Sequence, residues 1–465
     1  MMFLRRLSGI LLLSLLLLAC KKDQFTDRQD ALLSTSVDTL HFDTVFTSTG
    51  SITQFIKIMN DNKEGIRIGS VRLAGGLASP FRINVDGRPG PLVNDIEVAG
   101  KDSAYIFVTV SINPSVANLP FIVRDSIALN YNGNTHYVQL DAFGQNARFF
   151  RNLTITGNET WNKELPYVIL GRLTVAENAT LNITKSTKVH LHADAPLIVN
   201  GTLNVIGEKW DSTKVVFTGD RLDEPYRDFP ASYPGIIFSE TSKNNRIEYA
   251  VIKNAYQGIV AVGPSSTATP KLVLNETIID NVYDAGILAL NSSIDARNVL
   301  ISNCGKNIML VRGGRYNFNH CTAATFSSNY IQHKDPILLV SNYLNASTPP
   351  ADLSATFRNC IFWGEAGLVK NEVVVEKNGN TLFNVIFDHV LWRVETAPQN
   401  NTSSNIINNQ NPVFDSINTS RRFYDFRLKA NSPAINKGMA TANSIDLDGK
   451  PRPVGLPDLG AYERQ

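Results

Sequence analysis

Three stretches of this 465-residue chain carry side chains with chemistry to offer. In "VHLHAD", His190, His192 and Asp194 alternate with Val189, Leu191 and Ala193. Residues two apart share a face of a strand, so this trio could hold a divalent ion. The same alternation equally makes a polar outer row on a half-buried strand, and no fourth ligand or orienting acid stands beside it. Asp446, Asp448 and Gly449 begin like a calcium loop but lack its later oxygens and distant Glu, which favours a turn. Calcium is the one cofactor these residues leave open.

The third stretch, "GDRLDEPYRDFPASYPG" (219–235), interrupts two apolar runs, "KVVFT" and "GIIFS". It gathers Arg221, Asp223, Glu224, Tyr226, Arg227, Asp228, Phe229 and Tyr233. Aromatic faces suit sugar rings and charged groups suit hydroxyls or uronates, so Arg221, Asp223, Tyr226, Arg227, Phe229 and Tyr233 form a candidate glycan-binding set. The alternative is a loop that folds back and packs its own rings on the protein.

These side chains need a frame, and the frame repeats. "VIKNAYQGIVAV" (251–262) is echoed by "IIDNVYDAGILAL" (278–290), about 27 residues later. A polar residue among apolar ones recurs in "LNETII", "RNVLIS", "NHCTAA", "RNCIFW" and "FNVIFD", marked by Asn275, Asn298, His320, Asn359 and Asn384. The steps are 23, 22, 39 and 25 residues, and the long one contains a segment that can loop out. A unit this short cannot bury its apolar side alone, whereas stacked units share one core with equivalent residues in columns. Asn at a corner tolerates unusual φ and bonds to the Asn above it, so the markers read as structural. From about residue 148 the expectation is a parallel β-helix, with Asp280, Asp284 and Asp295 as acids that separate coils could bring together.

Before residue 148 the grammar differs. In "YIFVTVSI", Ile106, Val108, Val110 and Ile112 alternate with polar or aromatic neighbours, which marks a two-faced strand. "DSIALNY" and "THYVQLDAF" are joined through Asn132-Gly133, a strong hairpin signal. About seven such runs predict a β-sandwich over 36–147. Ahead of it, Arg5 and Arg6 precede an apolar run, Leu7 to Leu18, too short to span a bilayer and built like a secretory signal. A polar tether, 21–35, follows. Cys304, Cys321 and Cys360 lie in apolar runs and read as small core residues. With 44 basic and 42 acidic residues the net charge is +2, and no basic stripe is interleaved with aromatics. Nucleic-acid binding is thereby set aside.

Several of these segments resemble known families. Leu17-Leu18-Ala19-Cys20 resembles the lipobox of bacterial lipoproteins, which implies lipidation at Cys20, a membrane partner through the lipid, and the cell envelope, most simply the outer membrane, as the location. Triplets such as Asp38-Thr39-Leu40 resemble O-glycosylation sites of exported Bacteroidetes proteins. Residues 36–147 resemble immunoglobulin-like domains of the hydin kind, which serve as spacers or docking modules. Residues 148–463 resemble right-handed parallel β-helix proteins of the pectate-lyase superfamily, and "NSPAINKG", "DLDGKPRP" and "PDLGAYE" resemble a choice-of-anchor type Q ending, with Asn436 where Asp is common. That resemblance implies polysaccharide substrates, but the Asp-Asp pair, "GHG" and "RxPxxR" of its enzymes are missing from this sequence. The expectation is an all-β, lipid-anchored, non-catalytic envelope protein whose β-helix flank binds glycan or another surface partner. A polysaccharide lyase or glycosidase and a structural adhesin are the rivals. The C-terminal ending is expected to cap the open coil end.

Overall fold

The computed structural model describes residues 24–47, 50–114, 121–345 and 347–465. Cys20 and the signal-like segment lie outside them. The chain divides into two compact units that meet in sequence at Asn146 and Ala147.

The first unit is a β-sandwich of two five-stranded sheets. Leu33–Thr35, inside the stretch read as tether, already pairs with Gln54–Asn60. Ile106, Val108 and Val110 face inward with Ile56, Ile58, Ile66, Ile68 and Leu129. Asn132 and Gly133 turn the hairpin between Phe121–Tyr131 and Asn134–Gln145, both with positive φ. Among the described residues ten strands replace the seven expected, because short edge strands such as Arg88–Pro89 carry no alternation to read.

The second unit is a parallel β-helix of 23 strands. Each coil passes through three faces. The first contains Lys188–Leu191, Val215–Gly219, Ala250–Lys253, Ile278–Asp280, Leu300–Ser302 and Thr322–Phe326; the second Leu197–Val199, Ile236–Phe238, Ile259–Val262 and Leu338–Ser341; the third Thr180–Thr184, Thr202–Ile206, Asn245–Glu248 and Leu272–Asn275. Longer strands, such as Ala285–Arg297 and Lys306–Asn319, bend through the second and third faces. Inward residues stack by type: Phe318, Phe357 and Phe387 are in register, with ring centroids 5.4 and 5.0 Å apart. Trp161 and Tyr167 stack at 4.2 Å near the first coil, with Phe150 beside them.

Left-handed residues make the corners. From third face to first they are Tyr249, Glu276, Asn298, His320, Asn359 and His389, with φ between 43° and 54°. Asn298, His320 and Asn359 are therefore aligned as expected. Asn275 is one residue early, and Asn384 sits in a strand five residues before His389. The corner tolerates Asn best, but His, Glu and Tyr also occupy it, so a search anchored on Asn slips. Amides link successive coils: Asn298 Nδ2 donates to Glu276 Oε1 at 3.0 Å, and Asn281 Nδ2 to Asn254 Oδ1 at 2.8 Å.

The C-terminal segment lies along the side of the coils. Phe414, Phe426, Leu428, Leu447, Leu459 and Tyr462 pack on Leu300, Phe326, Ile361, Trp363 and Leu391, which face outward from the first face. Asn359 fixes the segment twice, donating to Met439 O at 3.0 Å and accepting from Met439 N at 2.9 Å. Asp446, Asp458 and Glu463 each accept backbone N–H groups within the segment, so Asp446 organises a turn. The last coil strand, Thr402–Asn408, keeps an open edge. A cover for a two-sided apolar sheet thus replaces the expected end cap.

Removing the middle ring of the aromatic stack should cost about 3–5 kcal/mol, because Phe357 is fully buried and its neighbours are fixed by the coils. Chemical denaturation of Phe357→Ala at neutral pH is the check.

Candidate functional site

Three insertions meet at the corner between the first and second faces. The first is the 220–235 loop, the second the 327–337 loop between Thr322–Phe326 and Leu338–Ser341, and the third the turn 419–422 of the C-terminal hairpin. Corner asparagines hold the first loop down: Asn254 Nδ2 donates to Arg227 O at 2.8 Å and Asn281 Nδ2 to Asp228 O at 2.9 Å. Its rings are therefore tied to the frame.

An aromatic row results. Arg221 makes a two-pronged bond to Asp223, both contacts 2.7 Å, and lies 4.1 Å over the Tyr226 ring. Tyr226 meets Phe229 edge-on at 5.1 Å, and Phe229 meets Tyr330 of the second loop at 4.8 Å. Arg422 of the hairpin covers Tyr330 at 5.4 Å and reaches Asp228 at 3.5 Å. On the corner itself Tyr256 and Tyr283 stack at 5.7 Å. Tyr226, Tyr330, Tyr256 and Tyr283 are 40%, 39%, 47% and 50% exposed, so each ring keeps surface that a ligand could touch, although Arg221 and Arg422 occupy one side of Tyr226 and Tyr330.

Two small clefts flank the row. One, about 290 Å³, is lined by Tyr283, Asp284, Lys306, Tyr330, Lys334 and Asp335. In it Asp284 bonds Lys306 Nζ and Gln257 Nε2, both at 2.9 Å, and the Asp284 bond holds the Lys306 ammonium above the ordinary lysine range. The other, about 370 Å³, is lined by Arg221, Arg227, Asp228 and Lys253 among others. Beneath the second loop His333 Nε2 bonds both oxygens of Glu372, at 2.9 and 3.0 Å, in a buried slot. Gly364 lines that slot, where a Cβ would collide with His333 Nε2. This pair anchors the loop that presents Tyr330.

The residues singled out from sequence scatter differently. Arg221, Asp223, Tyr226, Arg227 and Phe229 belong to the row or its clefts. Tyr233 does not, being 1% exposed and packed in the interior, where its strand-edge position turns it inward. Asp280 accepts from Ser302 Oγ at 2.6 Å and Asn303 Nδ2 at 3.1 Å; burial pushes its pKa up and those bonds oppose the rise. Asp284 lines the smaller cleft, while Asp295 bonds Asn317 at a different corner and lines a separate cavity. The three acids share no cleft.

The "VHLHAD" trio is dispersed because its strand ends at Leu191. His190 Nδ1 bonds Gly219 O at 3.1 Å, His192 Nδ1 bonds Asp220 at 2.7 Å, and Asp194 accepts from Gly171 N at 3.0 Å. Among the described residues no group of three His, Cys, Asp or Glu is placed to hold a metal ion. Tyr256, Tyr283, Tyr330, Lys306 and Arg422 were missed. Tyr256 and Tyr283 were signalled by their matching places in "NAYQG" and "NVYDAG".

No family model and no curated protein matches the chain. Among solved structures it is similar to the catalytic unit of a GH87 α-1,3-glucanase from Streptomyces thermodiastaticus, at 11% identity and TM-score 0.21, covering 76% of this chain and 88% of that one. The ASH/PapD-like domain of human CEP192 matches at 10% identity and TM-score 0.17, over 24% of this chain and 84% of that chain. A family 123 glycoside hydrolase from Clostridium perfringens matches at 13% identity and TM-score 0.20, over 28% and 30%. At such scores these likenesses assign neither family nor activity.

Burial pushes His190 from an ordinary 6.5 down to about 4. The unfolded chain then takes up a proton near pH 6.5 that the folded one refuses, so stability should be full above that pH and fall progressively toward pH 4. His190→Gln should flatten this limb of the pH profile of the denaturation midpoint.

Proposed function

We propose that the corner between the first and second faces binds an extended glycan without cleaving it. The observation that carries this reading is the row of rings, the part-exposed Tyr226, Tyr330, Tyr256 and Tyr283 with the half-buried Phe229 between the first two, interleaved with Asp228, Asp284, Lys306 and Arg422. Stacking faces alternating with fixed hydrogen-bonding groups complement a chain of sugar rings. Coils stacked about 4.8 Å apart make the surface long in one direction, which suits a polymer. Asp280, Asp284 and Asp295 lie in different surroundings, so this trio does not supply the paired carboxyls that flank one bond in a glycosidase. We further propose that Cys20 carries a lipid holding the protein in the cell envelope, on the strength of Leu17-Leu18-Ala19-Cys20.

Protein 21–465, tested by affinity electrophoresis against a polysaccharide panel, should be retarded by at least one member. Tyr226→Ala, Tyr283→Ala and Tyr330→Ala should each weaken that interaction about three- to tenfold. Release of new reducing or unsaturated ends from the bound polysaccharide would instead favour a hydrolase or lyase. For the anchor, Cys20→Ala should move the full-length protein out of the membrane fraction and abolish incorporation of labelled palmitate. Unchanged membrane association of Cys20→Ala would contradict lipidation at that residue.

A further inference from the structure

A larger cavity, about 550 Å³, lies at the opposite edge of the second face, where each coil turns into the third. Its floor is the outward row of successive strands. Asp295 and Asn317 are in register there, with Asn317 Nδ2 donating to Asp295 Oδ1 at 2.9 Å, and Arg315 stands in register with Ser293 beside them. Loop 264–270 forms one wall with Ser265, Thr267 and Thr269, and is tied to the coil below through Asn244 Oδ1, which accepts from Thr267 and Thr269 at 3.1 and 2.8 Å.

Among the described residues, one charged group of the lining is left without an internal partner. Arg315 is exposed and has no ion-pair partner among the described residues, although Asp295 and Asp352 line the same cavity.

The chemistry of the lining narrows the ligand. A carboxylate, a carboxamide and a guanidinium are planar two-pronged groups that pair with adjacent hydroxyls, and Ser and Thr hydroxyls surround them. The single aromatic ring of the lining, Tyr316, is buried with its hydroxyl spent on Gly313 O and Ser292 N. Recognition must therefore come from hydrogen bonds, unlike the stacking row at the other corner. Two acids against one base leave the lining with formal charge −1, which repels a uronate or sulfated sugar. The volume lies within the usual range for small-molecule sites.

We propose that this cavity is a second saccharide site, taking a neutral sugar through its vicinal hydroxyls. It stands or falls independently of the aromatic corner. Isothermal titration of protein 21–465 with neutral gluco-, manno-, galacto- and xylo-oligosaccharides, each beside its uronate counterpart, is the test. At least one neutral oligosaccharide should bind in preference to the uronates. Arg315→Ala, Asp295→Ala and the cavity-filling Ser293→Trp should each weaken it at least about tenfold. Arg315 is exposed, so Arg315→Ala should keep the wild-type unfolding midpoint while losing the sugar. The double variant Tyr226→Ala/Tyr330→Ala should retain this binding even where it abolishes polysaccharide retention. Absence of any neutral oligosaccharide binding, preference for uronates, or binding indifferent to all three cavity variants would overturn the assignment.

Discussion

Everything in the second unit depends on coil-to-coil register. A parallel ladder with its strands in line forces each coil to offer the column the same kind of residue as the coil before it. The Phe318, Phe357 and Phe387 stack inside, and the left-handed column of Glu276, Asn298, His320 and Asn359 at the corner, both express that demand. A residue inserted within a strand would turn its inward set outward. Insertions are accordingly confined to corners, and there the chemistry collects.

That confinement explains the geography of the two surfaces. Loops 220–235 and 327–337 emerge at one corner and 264–270 at another, so each surface combines a rigid floor of strands with side chains from a loop. The loops are disciplined by the same frame: Asn254 and Asn281 donate their amides both to a neighbour and to the backbone of the first loop. His333 and Glu372 do the equivalent beneath Tyr330. A ligand meeting these rings finds them already placed, which lowers the ordering entropy lost on binding.

The fold was legible where one period dominates. Alternation at Ile106, Val108 and Val110 and the Asn132-Gly133 turn declared the sandwich, and steps of 22 and 23 residues declared the coils. Legibility failed where a residue's role depends on its neighbour in space. Nothing in "VHLHAD" says that the strand stops at Leu191, so a trio drawn on one face comes apart. Tyr233 looks like its companions Tyr226 and Phe229, yet the return of the chain to the core turns it inward. The flanking position of the C-terminal segment did leave a trace. Runs such as "VLIS", "CTAATF" and "NCIFW" are apolar on both faces, which strands with one solvated face are not. Tyr330 and Arg422, nearly a hundred residues apart, meet only because the hairpin lies along that flank.

The central claim is that rings gathered at one corner by three separate insertions form the contact surface for a glycan chain. Hydroxyl-radical footprinting, read by mass spectrometry with and without a saturating bound polysaccharide, addresses it at single-residue level. The account predicts protection of Tyr226, Tyr256, Tyr283 and Tyr330 together, while the exposed Tyr105 and Phe107 of the sandwich remain reactive. A bound polysaccharide that left those four rings as reactive as in the free protein would contradict it.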